Sequence, residues 1–173
     1  VPTPKNYDTD NRYYDLYQLY NEQKFNEYFT QLTIIANENN PWALAQLAQY
    51  YFYQSEFEEP FPIAENKPYA QTLMQRCIDV LEQDEALGNG EASRILGYVY
   101  CGLIGIESPN LDKAEYHLLK AIELEQYFAA NDLVTFYRHT DKAKAHHYYD
   151  IAVQHGVCIL TSPDTNQGQM TCP

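Results

Sequence analysis

One pattern recurs three times in this chain and limits what it can fold into: Ala-x-x-x-Leu-small-x-x-Tyr. It appears as Ala92, Leu96, Gly97 and Tyr100, and again 37 residues later as Ala129, Leu133, Val134 and Tyr137. An upstream copy reads Ala43, Leu47, Ala48 and Tyr51, set further away because a longer, proline-rich insertion intervenes. In a helix the four positions share one side. Alanine and glycine there let two helices approach closely, Leu fills the seam, and Tyr plugs the end of the pair. Self-similarity at this period marks a helical solenoid, in which each pair has too little apolar surface to fold alone and must stack on its neighbours.

The rest of the chain agrees. Helical periodicity dominates and strand alternation is nearly absent. Residues 11–38 read as a first helix pair broken around Asn21 to Gln23. Asn40 can cap the next helix and Pro41 suits its first turn. Residues 54–68 form a loop with prolines and an acidic cluster of Glu56, Glu58 and Glu59. A long helix follows, stopped at Gly88-Asn89-Gly90. The following helix ends at Gly102, and another begins near Leu111 with Asp112 at its positive end. A last pair closes at Gly156. The expected architecture is all-α, a solenoid of about four helix pairs (about 11–38, 41–87, 91–125 and 127–156). A polar leader (1–10) precedes it and an irregular tail (157–173) follows.

These residues resemble the Sel-one-like repeat, a relative of the tetratricopeptide repeat. Its first helix carries Ala-x-x-x-Leu-Gly-x-x-Tyr, matched by Ala92, Leu96, Gly97, Tyr100, Gly102 and Gly105. Its second helix is matched by Lys113, Ala114, Lys120 and Ala121, with His117 where Tyr is usual. The last pair matches through Lys144, Ala145, Tyr148, Ala152 and Gly156. The match is good over roughly 91–156, weaker over 41–87, and only generic before Pro41. The resemblance implies a right-handed alpha-alpha superhelix that binds other proteins and carries no catalysis or cofactor.

Four cysteines are present, none in Cys-x-x-Cys spacing, which disfavours zinc and thioredoxin-like chemistry. Counting outward from the turn at Gly88 to Gly90 along two antiparallel helices brings Cys77 and Cys101 to nearly the same height. A bridge there would pin one pair to the next, and a Cys158–Cys172 bridge would close the tail. Each would contribute roughly 3 to 3.5 kcal/mol in the chain-entropy picture. An even count with two local pairs favours an oxidising compartment, hence a periplasmic or secreted protein. The alternative is four thiols in a cytosolic repeat protein. The leader reads as a mature N-terminus or a trimmed one.

The formal net charge is −13. It argues against a nucleic-acid partner and would speed encounter with a cationic protein. No apolar stretch is long enough to span a membrane. The histidines form no evident site: His146 and His147 point to different faces, His117 holds a packing position, and His139 and His155 sit at helix ends. Glu82, Asp84 and Glu85 look like a solvated helix end. No phosphate loop, nucleophile elbow or His-Glu-x-x-His is present, so no catalytic or metal residue is nominated.

The interaction surface follows from helical rotation. At about 100° per residue, the face opposite the repeat core carries Trp42, Gln49 and Tyr53, then Arg94 and Tyr98, then Phe128, Asn131, Thr135 and Arg138. In the family's geometry the first helices line the concave side, so these residues are expected to face a groove, with aromatics and Arg as anchors. Trp42 and Phe128 could instead staple neighbouring turns. The expected function is a non-enzymatic protein-binding module of the bacterial envelope, of inhibitor or immunity type. The alternatives are an adaptor in an envelope or secretion assembly, and a glycan binder or envelope enzyme.

Overall fold

The computed structural model describes Tyr7, residues 11–158 and residues 162–164, and every regular element among them is helical. The helices are α1 (Arg12–Asn21), α2 (Phe25–Asn37), α3 (Pro41–Tyr53), α4 (Lys67–Ala86), α5 (Gly90–Tyr100), α6 (Leu111–Glu123), α7 (Phe128–Tyr137) and α8 (Lys142–Gln154), with a 3-10 turn at Gln54–Glu56. Each helix packs on the one before and the one after it, and no pair further apart in sequence contributes comparably. This is the all-α, solenoid-like arrangement of adjacent pairs that the repeat demands. Among the described residues no helix is long and apolar enough to cross a membrane.

Local sequence sets the helix ends. Asn40, Asn66, Asn89, Asn110 and Asp141 each accept a backbone N–H from the first turn of α3, α4, α5, α6 and α8. These caps satisfy donors that a helix start leaves orphaned. Pro41 and Pro68 occupy first turns, where a missing N–H costs nothing. After α4 the chain reverses at Gly88, whose φ of 86° is open to glycine at no steric cost.

The repeat positions form the core. Ala43, Leu47, Ala48, Ala92, Leu96, Ala129, Leu133 and Val134 are at most 1% exposed. Each repeat tyrosine is then covered by the following helix. Tyr100 stacks on His117 at 5.4 Å between ring centroids, and Tyr137 stacks on Tyr148 at 5.9 Å. Lys113 and Lys144, also equivalent, lie 4.8 and 4.6 Å from the centroids of Tyr100 and Tyr137. In the earlier copy Tyr69 meets Tyr51 edge-on at 4.9 Å. His117 is thus a packing residue, as its repeat position implies.

Several expectations are corrected. Cys77 and Cys101 are free thiols, not a bridge. The Cys77 thiol donates to the Pro41 carbonyl and the Cys101 thiol to the Tyr98 carbonyl of its own helix. Counting heights along two helices does not tell which way their side chains turn. Cys158 is disulfide-bonded; Cys172, its expected partner, lies outside the described residues. The end of α4 is not simply solvated: Asp84 is buried and accepts a hydrogen bond from buried Tyr7, while Glu85 pairs with His117 at 2.7 Å. Only Glu82 of that trio is exposed. The proline-rich loop contributes to the core as well, because buried Phe61 packs edge-on against Phe25, Phe29 and Tyr50.

Candidate functional site

One side of α3 carries a stripe of Trp42, Ala45, Gln46 and Gln49, at the i, i+3, i+4, i+7 spacing of a single helical face, with Ala45 buried at its base. Together with Tyr13 of α1 and Ile104 of the loop after α5, it lines a hollow of about 420 Å³. A second hollow, about 370 Å³, is lined by Leu16, Tyr17, Tyr20 and Asn21 of α1, Tyr28 of α2 and Tyr50 of α3. Tyr13 and Gln46 line both, so the two adjoin. Among the described residues no carboxylate, imidazole, thiol, amine or guanidinium lines either one.

The walls are fixed by hydrogen bonds and ring packing. The Tyr13 hydroxyl donates to Asn40, the α3 cap, at 2.7 Å, which ties α1 to the start of α3. Gln46 donates its amide to the Tyr28 hydroxyl at 2.9 Å, and Tyr28 and Tyr50 share a hydroxyl contact at 3.2 Å. Burial, then the bond to Tyr50, raises the Tyr28 pKa above its ordinary value. Tyr28 also meets Tyr20 and Phe29 edge-on, at 5.5 and 5.2 Å. These are the favoured geometries for aromatic pairs. The floor is therefore held together by both ring packing and hydrogen bonds.

Further along, the stripes of α5 and α7 close on each other. Arg94 donates through Nε to Asp132 Oδ2 at 2.6 Å, and the Tyr98 hydroxyl donates to Asp132 Oδ1 at 2.9 Å. Arg94 also donates to the Tyr98 hydroxyl and lies 3.8 Å from Glu91. Its guanidinium sits 5.1 Å from the Tyr98 ring centroid and 5.6 Å from that of Phe128. Burial works against the Arg94 charge, but the bond and charge of Asp132 outweigh it and hold its pKa above the ordinary value. Burial first, then Asp132, raises the pKa of Tyr98. This cluster is a staple between the third and fourth pairs. Trp42 joins it to the hollow, its ring 6.3 Å from that of Tyr98.

The nominated residues divide accordingly. Trp42 and Gln49 line the first hollow. Arg94, Tyr98 and Phe128 belong to the staple, where the Arg94 charge is already answered within the chain. Asn131 is buried and cannot present itself to a groove, because α7 turns it inward beside Ala130. Tyr53 packs edge-on against Phe52 at 4.8 Å. Thr135 is exposed, and half-buried Arg138 has no acceptor for its Nε among the described residues. Rotation from the core positions misses Tyr13, Tyr17 and Tyr20, although their i, i+4, i+7 spacing is itself a helical stripe. It also misses Asp132, which stands in α7 where Gln46 stands in α3.

Compared with protein-family models, with curated proteins and with solved structures, the chain found no match.

Proposed function

We propose that this chain is a non-enzymatic binding module of the bacterial envelope that holds a segment of another protein on the face formed by α1 and α3. The observation that carries this reading is the pair of adjoining hollows, walled by tyrosines, Trp42 and amide side chains and lined by no charged group among the described residues. Such a surface stacks and hydrogen-bonds, and rigid aromatics are the usual anchors of protein recognition. Of the jobs within this class we favour inhibition of a cationic partner, because the chain carries a net charge of −13. Aromatic rings beside amides also suit a neutral glycan, which is the second reading.

The test is affinity capture from the envelope fraction of the native source, with a Tyr17→Ala/Trp42→Ala variant as control. One stoichiometric basic protein, absent from the control, is the expected result. Several partners indifferent to the substitutions would replace the inhibitor with an adaptor working through another face. Enrichment of glycan alone would replace protein binding altogether.

A further inference from the structure

Resting on that reading, we propose that α1 is a movable wall of the α1–α3 face and that Tyr7 is the latch that holds it shut. Tyr13, Leu16, Tyr17, Tyr20 and Asn21 of α1 line the two hollows. Yet the helix they stand on is lightly held. Of its ten residues Leu16 alone is buried, and Tyr14 and Tyr17 are 67% and 66% exposed. Asn11 gives it no side-chain cap among the described residues, unlike the starts of α3, α4, α5 and α6.

The two ends of α1 differ. At its C-terminal end Tyr20 meets Phe25 edge-on at 5.7 Å and Tyr28 at 5.5 Å, and the turn into α2 passes through Gln23 at φ 58°. A residue with a side chain adopts that left-handed conformation at a cost, and a change there re-aims the helix before it. This end is the hinge. At the N-terminal end, about 15 Å away along the helix, Tyr13 donates to Asn40, two residues before Trp42, and Arg12 pairs with Glu38 at the surface. This is the end that must stay in place for the first hollow to keep its shape.

Tyr7 supplies the hold. It is buried, its hydroxyl donates to buried Asp84, and Asn89 donates to that hydroxyl at 3.4 Å. Asn89 also caps α5, so the socket belongs to the corner between α4 and α5 and not to the first pair. A hydrogen bond to a carboxylate is among the stronger kinds. Arg12 follows Tyr7 by five residues, a length of chain that reaches at most about 18 Å. A seated Tyr7 therefore keeps the start of α1 within that distance of the socket, and a withdrawn one lets α1 swing on its hinge. Seating of Tyr7 sets how wide the face stands open to its partner.

The test reads α1 in the full chain without a partner, so it succeeds or fails independently of the capture experiment. Trp42, the single tryptophan of the chain, lines the first hollow with Tyr13 and reports its opening. Tyr7→Phe keeps the ring and removes the hydroxyl; it should quicken amide exchange in α1 about tenfold, and Tyr7→Ala should quicken it more. Acrylamide quenching of Trp42 should rise in the same order, while amides of α3 and α5 keep their protection. Tyr148→Ala, at a tyrosine of like burial in the second cluster, is the control for mere loss of stability. It should leave α1 exchange and Trp42 quenching as they are in the parent chain. Unchanged α1 exchange in Tyr7→Ala overturns the latch. So does a uniform rise from α1 to α5, which would make Tyr7 an ordinary core residue.

Discussion

A side chain at position 97 has nowhere to go. A Cβ there would lie 2.7 Å from both Cγ and Cδ2 of Leu118, so α5 and α6 are in contact through the missing methyl. Gly97→Ala should therefore lower stability by about 1–3 kcal/mol, read from urea unfolding midpoints, although alanine is the better helix former. Leu118→Ala in the same background should recover part of the loss; an unchanged midpoint in Gly97→Ala would show that the pair can spread at no cost. Burial also leaves a pH signature. It pushes the Cys77 thiol up to about 12 and raises Tyr28 and Tyr98 above their ordinary value. In the unfolded chain a thiol loses its proton at about 8.5 and a phenol at about 10. Above those values the unfolded state binds fewer protons than the folded one, so stability declines as pH rises. Melting temperatures should hold up to about pH 8.5 and fall towards pH 11. Cys77→Ala should flatten the first part of that fall, and an identical slope in the variant would contradict the assignment.

At the scale of elements, Arg94, Asp132 and Tyr98 hold α5 to α7 across 38 residues of chain. The Arg94 and Asp132 side chains are only 20% and 14% exposed, so removing one leaves the other charge poorly solvated. A double-mutant cycle of Arg94→Ala and Asp132→Ala should give a coupling of about 1–3 kcal/mol, and additive effects would reduce the staple to coincidence. Helices, caps and stops were legible because their signals are local: Asn40 before Pro41, Gly88 after α4, an alanine-leucine seam repeated in register. So was the all-α architecture, because the seam recurs. Partner residues far along the chain were not legible. Nothing near Arg94 announces Asp132, and nothing near Asp84 announces Tyr7, 77 residues upstream, which donates to it and buries it. Phe61 reads as loop until α2 and α3 supply the rings it packs against. Sequence periodicity says which side of a helix faces out, and only the fold says what already stands there.

The whole molecule is a line of neighbours, so its stability should be divisible. Buried apolar residues fall into two clusters, one running from Tyr7 to Ala114 and the other from Leu118 to Val157. The binding face proposed above belongs wholly to the first. The second is bounded by α8, where His146 meets Asp164 at 2.9 Å. When each unit touches only its neighbours, stability is close to a sum of unit and interface terms, and an end unit can open without the rest. Leu133, fully buried in the second cluster, and Leu47, its repeat equivalent in the first, make a matched pair of probes. Leu133→Ala should cost about 2–5 kcal/mol locally. Hydrogen exchange should then quicken across α7 and α8 while amides of α2, α3 and α4 keep their protection. Leu47→Ala should instead expose the aromatic floor and abolish ligand binding at the α1–α3 face. A uniform rise in exchange from either substitution would mean that the two clusters unfold together, and that the staple between α5 and α7 makes one cooperative body of the whole chain.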